Sequence, residues 1–388
     1  MPKSPATPPV PEIAPQEVAQ RLDSGEPLQV LDVRAADRVA RGQITLGGAI
    51  EFRQMPRSKL VALESLDALG LDQSRPVAVV CGHGNSSRQA TEFLRQRGFE
   101  AYSVRGGMAA WETVYVPRDL APTASIERIT QLDRVGKGAL SYVLVSRGEA
   151  VVVDPGRHLE PYEAVLEASG AKPVAVIETH VHADYLSGGP AAAAKWRVPY
   201  RLHSADARSP YDNTPATFAY EALAEGDKIK FGRAALRVTH TPGHTLGSVT
   251  LHSDDGLALT GDFVFVQSLG RPDLGGQATE WAKLLWASLE RARTEWSGQS
   301  LVLPAHYAAE LERRADRAVA ARWDVILATN PGVERRTEPE FLRWIADHAA
   351  VPPEAYRTIK TANLGLVSVS DADAETLESG PNVCAVGR

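Results

Sequence analysis

Four apolar runs in the second half of the chain each break off at a side chain able to bind a metal: His180 in "PVAVIETH", His244 in "TPGHTLGS", Asp262 in "ALTGDF" and His306 in "VLPAHY". Imidazole and carboxylate are the donors expected for zinc and iron, and to surround one ion they must arrive from the ends of several strands. Gly or Pro near each of the four lets the backbone turn sharply and present its donor. His203, His240 and His252 are assigned to the ordinary class of surface or core histidines.

At 388 residues the chain exceeds one ordinary domain, and 44 % hydrophobic with 23 % charged residues is a globular balance. Residues 1–13, rich in proline, read as a disordered leader without the pattern of a secretory or transit signal. Residues 14–115 alternate short strands ("LQVLDV", "VAVVC", "EAYSV") with helical stretches, the rhythm of parallel βαβ units. Residues 116–125 read as a linker, and 126–388 as a second domain whose tail is helical after Glu310 and extended from "TIKTANLGLVSVS" onward. The net charge of −6 gives no basic face for nucleic acid, and no apolar run is long enough for a bilayer, so the expected partners are small molecules. Two cysteines make no disulfide framework, which points to a reducing, cytoplasmic setting.

Cys81 follows the strand-like "PVAVV" and opens "CGHGNSSR", a small, polar loop leading into a helix. A thiol there meets backbone N–H groups and the positive end of a helix dipole, both of which favour the thiolate that attacks sulfur. The same cradle suits the anionic terminal sulfur of a persulfide.

"LDVR" (31–34), the Cys81 loop and "VRGGMAAW" (104–111), in that order, resemble a single-domain rhodanese, a thiosulfate sulfurtransferase. The resemblance implies that Cys81 carries sulfur, that Gly82, His83, Gly84, Asn85, Ser86 and Ser87 form its anion cradle, and that Arg88 adds positive charge. Asp32 and Arg34 are expected to be a structural ion pair beside the loop. Gly42-Gln43-Ile44 departs from the family's Gly-His-Ile. Over about 126–310, "THVHADYLSGG", "TPGHTLGS", "TGDFVF" and "PAHY" resemble the metallo-β-lactamase superfamily, which implies an αββα sandwich with metal between strand ends.

That superfamily hosts many reactions, and Tyr185 helps to choose among them. Two-zinc thioester hydrolases resembling glyoxalase II carry a histidine at this place, and a phenol with a reference pKa of ~10 replaces it poorly. His180, His244 and Asp262 then have the composition of the two-His, one-carboxylate set of non-haem iron oxygenases. With "GRPDLGG" (270–276), the chain resembles the persulfide dioxygenases, although that branch also carries histidine where Tyr185 stands. The resemblance implies one Fe(II) per chain on His180, His244 and Asp262. His182, Asp184, Tyr185 and His306 then orient ligands and waters, with His182 either a ligand or a hydrogen-bond donor. Arg271 either binds an anionic substrate or shapes its loop through Asp273. The implied reaction is oxidation of a thiol persulfide, such as glutathione persulfide, by O2 to sulfite and thiol, joined to sulfur transfer with thiosulfate or sulfite through Cys81. A homo-oligomer is expected. The alternatives are a di-zinc thioester hydrolase and a non-catalytic sulfane-sulfur carrier or sensor. Cys384 is left outside the site.

Overall fold

A computed structural model describes residues 9–46, 50–348 and 351–386, which form two compact units. The first runs to Val116 and includes Arg134–Lys137 and Ser379–Pro381; the second holds Pro117–Asp133, Gly138–Glu378 and the residues from Asn382. Domain membership therefore does not follow the linear division into 14–115 and 126–388.

Five parallel strands build the first unit: β1 (Glu12–Ile13), β2 (Gln29–Asp32), β3 (Glu51–Gln54), β4 (Val77–Val80) and β5 (Ala101–Val104), ordered β1-β5-β4-β2-β3. Most of the leader, 1–8, lies outside the described residues, but Glu12 and Ile13, expected in it, pair with Ser103 and Val104. The central strand β4 is buried along its whole length, as a parallel sheet covered on both faces requires. Helix Asn85–Arg95 follows it directly and buries Ser87, Ala90, Thr91 and Leu94, spaced along one face.

The second unit is two sheets. The seven-stranded one orders β12-β11-β10-β9-β8-β7-β6, from β6 (Tyr115–Leu120), β7 (Arg128–Arg134), β8 (Ala139–Ser146), β9 (Glu149–Val153), β10 (Lys172–Ile177), β11 (Tyr200–His203) and β12 (Glu221–Leu223). The six-stranded one runs β13 (Lys228–Phe231), β14 (Ala234–His240), β15 (Val249–Ser253), β16 (Leu257–Gly261), β17 (Leu301–Pro304) and β18 (Ala321–Arg322) in sequence order. One apolar core joins them, with Tyr142, Leu144, Val151, Val153 and Ile177 meeting Phe231, Leu236, Val238, Leu251 and Leu259. Helix Gly189–Trp196 packs Ala192 and Ala193 near Val176 and Leu202 outside the first sheet, and helix Ala278–Glu295 packs Leu285 and Leu289 near Val302 outside the second. The result is the αββα sandwich.

Two sequence expectations are corrected here. The proposed linker 116–125 contributes Val116–Leu120 to strand β6, whose single proline, Pro117, is tolerated because β6 is an edge strand. "TIKTAN" is not extended: it completes helix Glu354–Asn363, where Tyr356, Ile359, Lys360 and Asn363 recur at helical spacing on the buried face. Among the described residues no helix is long and apolar enough to cross a membrane.

Gly243 shows how tightly a helix bears on the site. Its φ is +147°, and a Cβ there would lie within 2.6 Å of the backbone nitrogen of Leu285. Gly256, at φ +89°, has open space around it. Gly243→Ala is therefore expected to cost about 1–3 kcal/mol of overpacking beyond the ~1 kcal/mol left-handed penalty that Gly256→Ala meets alone. Denaturant midpoints followed by tryptophan fluorescence read the difference; equal losses from the two variants contradict it.

Candidate metal centre and thiol loop

The metal-capable side chains enter from strand ends. Beyond β10, Thr179 donates its backbone N–H to Asp154 Oδ1 (2.7 Å) and its hydroxyl to Asp154 Oδ2 (2.8 Å), which leaves Thr179 Oγ1 to accept from His180 Nδ1 at 3.0 Å. His244 Nδ1 donates to the Arg271 carbonyl at 2.9 Å. Each Nδ1–H bond leaves the corresponding Nε2 as a lone pair, since a neutral imidazole carries one proton. Both Nε2 atoms face Asp262 Oδ2, at 3.6 Å from His180 and 3.4 Å from His244.

These three atoms are buried and have no hydrogen-bond partner. Three acceptors converging in a dry site repel one another unless a cation sits among them, so the donor set fits a divalent metal. Asp262 is held well below the usual carboxylate range: burial works against this, but His306 and His180 outweigh it. His244 is pushed well below the ordinary imidazole value, chiefly by burial, which keeps its lone pair available.

The orienting contacts depend on close backbone approach. A Cβ on Gly270 would fall on the Asp262 carbonyl oxygen and 2.9 Å from His244 Nδ1, and one on Gly261 would strike Thr179 Oγ1. Asp206, which the sequence reading passed over, ties two ligand loops together. Its carboxylate accepts from Val181 N–H (2.8 Å), Thr245 Oγ1 (2.7 Å) and Gly247 N–H (2.7 Å). The signal that could have found it is the Thr245-x-Gly247-Ser248 turn, whose donors call for a buried acceptor.

His182 belongs to a different group. Its Nε2 lies 3.4 Å from Asp154 Oδ1 and 3.5 Å from Glu178 Oε2, and its ring stacks on Tyr185 at 4.3 Å between centroids. Burial pushes His182 down, but Asp154 and Glu178 prevail and raise it. Tyr185 donates its hydroxyl to the Asp154 carbonyl at 3.2 Å, and burial raises its phenol well above the ordinary value, so it stays protonated. His306 donates Nδ1–H to Asp262 Oδ1 at 2.6 Å, and its Nε2 stands 2.9 Å from Asp184 Oδ2. Against the effect of burial, Asp184 and Asp262 push His306 up to about 10. Cys384, left out of the site on sequence grounds, is buried with Asp184 and His306, their donor atoms all within 4.8 Å of one another.

Arg271 makes the contact with Asp273 that the loop-shaping alternative needs. Its guanidinium forks onto Asp273 at 2.6 and 2.7 Å and reaches the Val383 carbonyl at 3.2 Å. What it gives the centre is the carbonyl that orients His244. His203 and His240 stack on each other at 4.2 Å, and His252 packs against Trp296, as ordinary histidines do. A cavity of about 380 Å³ opens beside the ligand loops, lined in part by Val181, Asp206, Thr245, Trp281 and Lys360. Burial lowers Lys360, which lies 5.6 Å over the Trp281 ring.

In the first unit Cys81 stands at the carboxyl end of the central strand β4, at the start of the loop that enters helix Asn85–Arg95. Gly84, at φ +92°, donates its N–H to Cys81 Sγ at 3.2 Å, and Ser87 Oγ lies 3.4 Å from the sulfur. Met108 and Ala109 N–H brace the loop through the Cys81 and Gly82 carbonyls, at 2.8 and 3.1 Å. Arg88 does not turn into the loop: it pairs with Glu12 at 2.5 Å, because its position on the helix faces β1. Asp32 and Arg34 form the expected pair at 2.6 Å, and Arg34 also reaches the Gly42 carbonyl. Gly42 supplies a main-chain acceptor beside Gln43, whatever side chain stands there.

Comparison with known proteins agrees with this geometry. The model of the metallo-beta-lactamase superfamily matches residues 135–362, and that of the rhodanese-like domain matches 14–113. A human protein described as mitochondrial persulfide dioxygenase ETHE1 is 31 % identical over 160 residues, covering 41 % of this chain and 59 % of that protein. A hydroxyacylglutathione hydrolase of Xylella fastidiosa (strain M12) is also 31 % identical, over 144 residues, covering 37 % of this chain and 52 % of its own length. The solved structure of a metallo-beta-lactamase from Staphylococcus aureus superposes with a TM-score of 0.54 at 26 % identity, covering 60 % of this chain and 71 % of that one. Sandwich, strand-end donors and thiol loop together place the chain in the metallo-beta-lactamase superfamily, with a rhodanese-like domain in its N-terminal part.

Proposed function

We propose that the protein is a sulfur-metabolism enzyme that oxidises a low-molecular-weight thiol persulfide with O2, and that exchanges sulfane sulfur through Cys81. The observation that carries this reading is the set His180 Nε2, His244 Nε2 and Asp262 Oδ2, converging without hydrogen-bond partners while His182 is turned to Asp154 and Glu178. Two imidazoles and one carboxylate are the donors of non-haem iron oxygenases, and the likeness to the human persulfide dioxygenase supports the same chemistry.

Iron held by the three donors supplies Lewis acidity and electron exchange with O2. The chain's own residues supply geometry. Thr179 and the Arg271 carbonyl fix which nitrogen of each imidazole is free. Asp206 locks the two ligand loops in one register. Lys360, buried in the adjoining cavity, offers a positive charge to an anionic thiol or its carboxylates. Overall, persulfide, O2 and water give thiol and sulfite, the outer sulfur being oxidised and O2 reduced. In the rhodanese-like unit, Cys81 attacks the outer sulfur of thiosulfate; sulfite leaves with the bonding pair, and a Cys81 persulfide remains beside the Gly84 N–H. A low-molecular-weight thiol then takes that sulfur, regenerating Cys81 and supplying the persulfide.

Protein reconstituted anaerobically with Fe(II) is expected to bind about one iron per chain and, with glutathione persulfide, to consume O2 as sulfite appears. Two zinc ions per chain with thioester hydrolysis and no O2 uptake would establish the hydrolase instead; sulfur loading of Cys81 without turnover would establish a carrier.

Replacing His180, His244 or Asp262 with Ala is expected to strip the iron, whereas His182→Ala retains it and loses rate ~10–100-fold through misorientation. Iron content and O2 traces on the four variants decide this, and equal iron loss from all four contradicts it. For the thiol, Cys81→Ala is expected to abolish sulfur exchange with thiosulfate while O2 uptake on ready-made glutathione persulfide persists. Loss of that uptake in folded, iron-loaded Cys81→Ala contradicts two separable sites.

A further inference from the structure

Strand β5 carries a hydroxyl on a face where apolar packing would suffice. Ala101 joins the core beneath helix Asn85–Arg95 with Val79, Ala90 and Leu94. Ser103 turns to the same face, since residues two apart on a strand share a side, and it is fully buried. A buried hydroxyl is costly unless its proton finds an acceptor. Ser103 Oγ lies 2.8 Å from Ser87 Oγ, and among the described residues Ser87 is the one partner of that oxygen.

This fixes the direction of the bond. With no other acceptor for its proton, Ser103 donates and Ser87 accepts. Ser87 keeps one proton of its own, with two atoms to give it to: the Gly84 carbonyl at 3.1 Å and Cys81 Sγ at 3.4 Å. While Cys81 is a thiol, its S–H points to Ser87 Oγ and the serine proton rests on Gly84. Once the thiolate forms, that proton can turn to sulfur. The Gly84 carbonyl is not stranded by the change, because it also accepts the Arg88 N–H at 3.4 Å.

We propose that Ser103 is a positioning residue for the Cys81 thiolate: it commits Ser87 to a single free proton and makes Ser87 the side-chain donor to sulfur, beside the Gly84 N–H. Its use in sulfur transfer rests on the reading of Cys81 given above. In the first half-reaction Sγ bonds to the outer sulfur of thiosulfate, and the old sulfur–sulfur bond breaks with its electron pair leaving on sulfite. In the second, an external thiolate bonds to that outer sulfur, and the bond to Cys81 breaks with its pair returning to Sγ. Sγ is thus the attacking thiolate in one step and the leaving thiolate in the other. A donor that meets it raises its share at neutral pH and eases its departure.

Full-length wild type, Ser103→Ala, Ser87→Ala and the double variant are compared by the rate at which iodoacetamide alkylates Cys81 at neutral pH, with the site located by mass spectrometry. Ser103→Ala is expected to slow alkylation ~2–10-fold and Ser87→Ala at least as much. The double variant is expected to match Ser87→Ala, because Ser103 acts only through Ser87. Sulfur uptake from thiosulfate and release to glutathione are expected to slow together in Ser103→Ala, whereas damage to the anion cradle alone slows uptake only. Alkylation of Ser103→Ala at the wild-type rate, or losses that multiply in the double variant, overturn the proposal. Alkylation needs no sulfur transfer, so protein that shows the expected coupling yet exchanges no sulfur refutes the transfer reading and not the role of Ser103. Should Ser103→Ala fail to fold, Ser103→Cys, similar in size and a weaker donor, is measured in its place, and an unchanged Cys81 rate overturns the proposal.

Discussion

The carboxylate of Asp262 is the point on which the second unit converges. One oxygen accepts from His306 Nδ1, while the other faces His180 and His244, and all of these groups are buried. Unpaired lone pairs in a dry interior are costly, so the arrangement is tolerable only where something positive joins it. The surroundings are shaped to hold it. Gly261 and Gly270 let backbone and side chains approach where any Cβ would collide, and Asp206 binds the loops after β10 and β14 to each other. The sandwich core beneath, running from Val151 and Ile177 to Leu251 and Leu259, keeps the strand ends in register.

That layout separates orientation from chemistry. Thr179 and the Arg271 carbonyl select tautomers, so the free Nε2 lone pairs of His180 and His244 are set by the fold itself. The Cys81 loop in the rhodanese-like unit follows the same economy. A strand delivers the thiol, a left-handed glycine turns an N–H toward the sulfur, and Met108 and Ala109 brace the loop from behind. In each place a main-chain group takes part, the Arg271 carbonyl behind His244 and the Gly84 N–H at Cys81, and such groups keep their geometry better than long side chains do. Arg88 pairs with Glu12, and Arg271 with Asp273, the loop-shaping alternative of the two that its sequence context offers. A guanidinium near a carboxylate of its own fold is seldom spare.

The sequence by itself determined the two classes of fold and the main donors. Parallel βαβ rhythm marks residues 14–115, and donors at Gly- or Pro-flanked strand ends mark His180, His244, Asp262 and His306, because alternation and turn chemistry are local properties that a reader can see. Only the tertiary structure decided which buried donors face one another. His182 is two residues from His180 and its ring lies 4.1 Å from that of His180, yet its Nε2 faces Asp154 and Glu178, because the segment after β10 is bent rather than a strand, on which residues two apart would share a face. Asp206 and Cys384 lie in stretches with no motif, and their places follow from where the chain returns after long excursions. No spacing rule could bring Cys384 beside Asp184; the hydrogen bonds of Asn382, Val383 and Val386 to distant backbone and to Tyr356 do so.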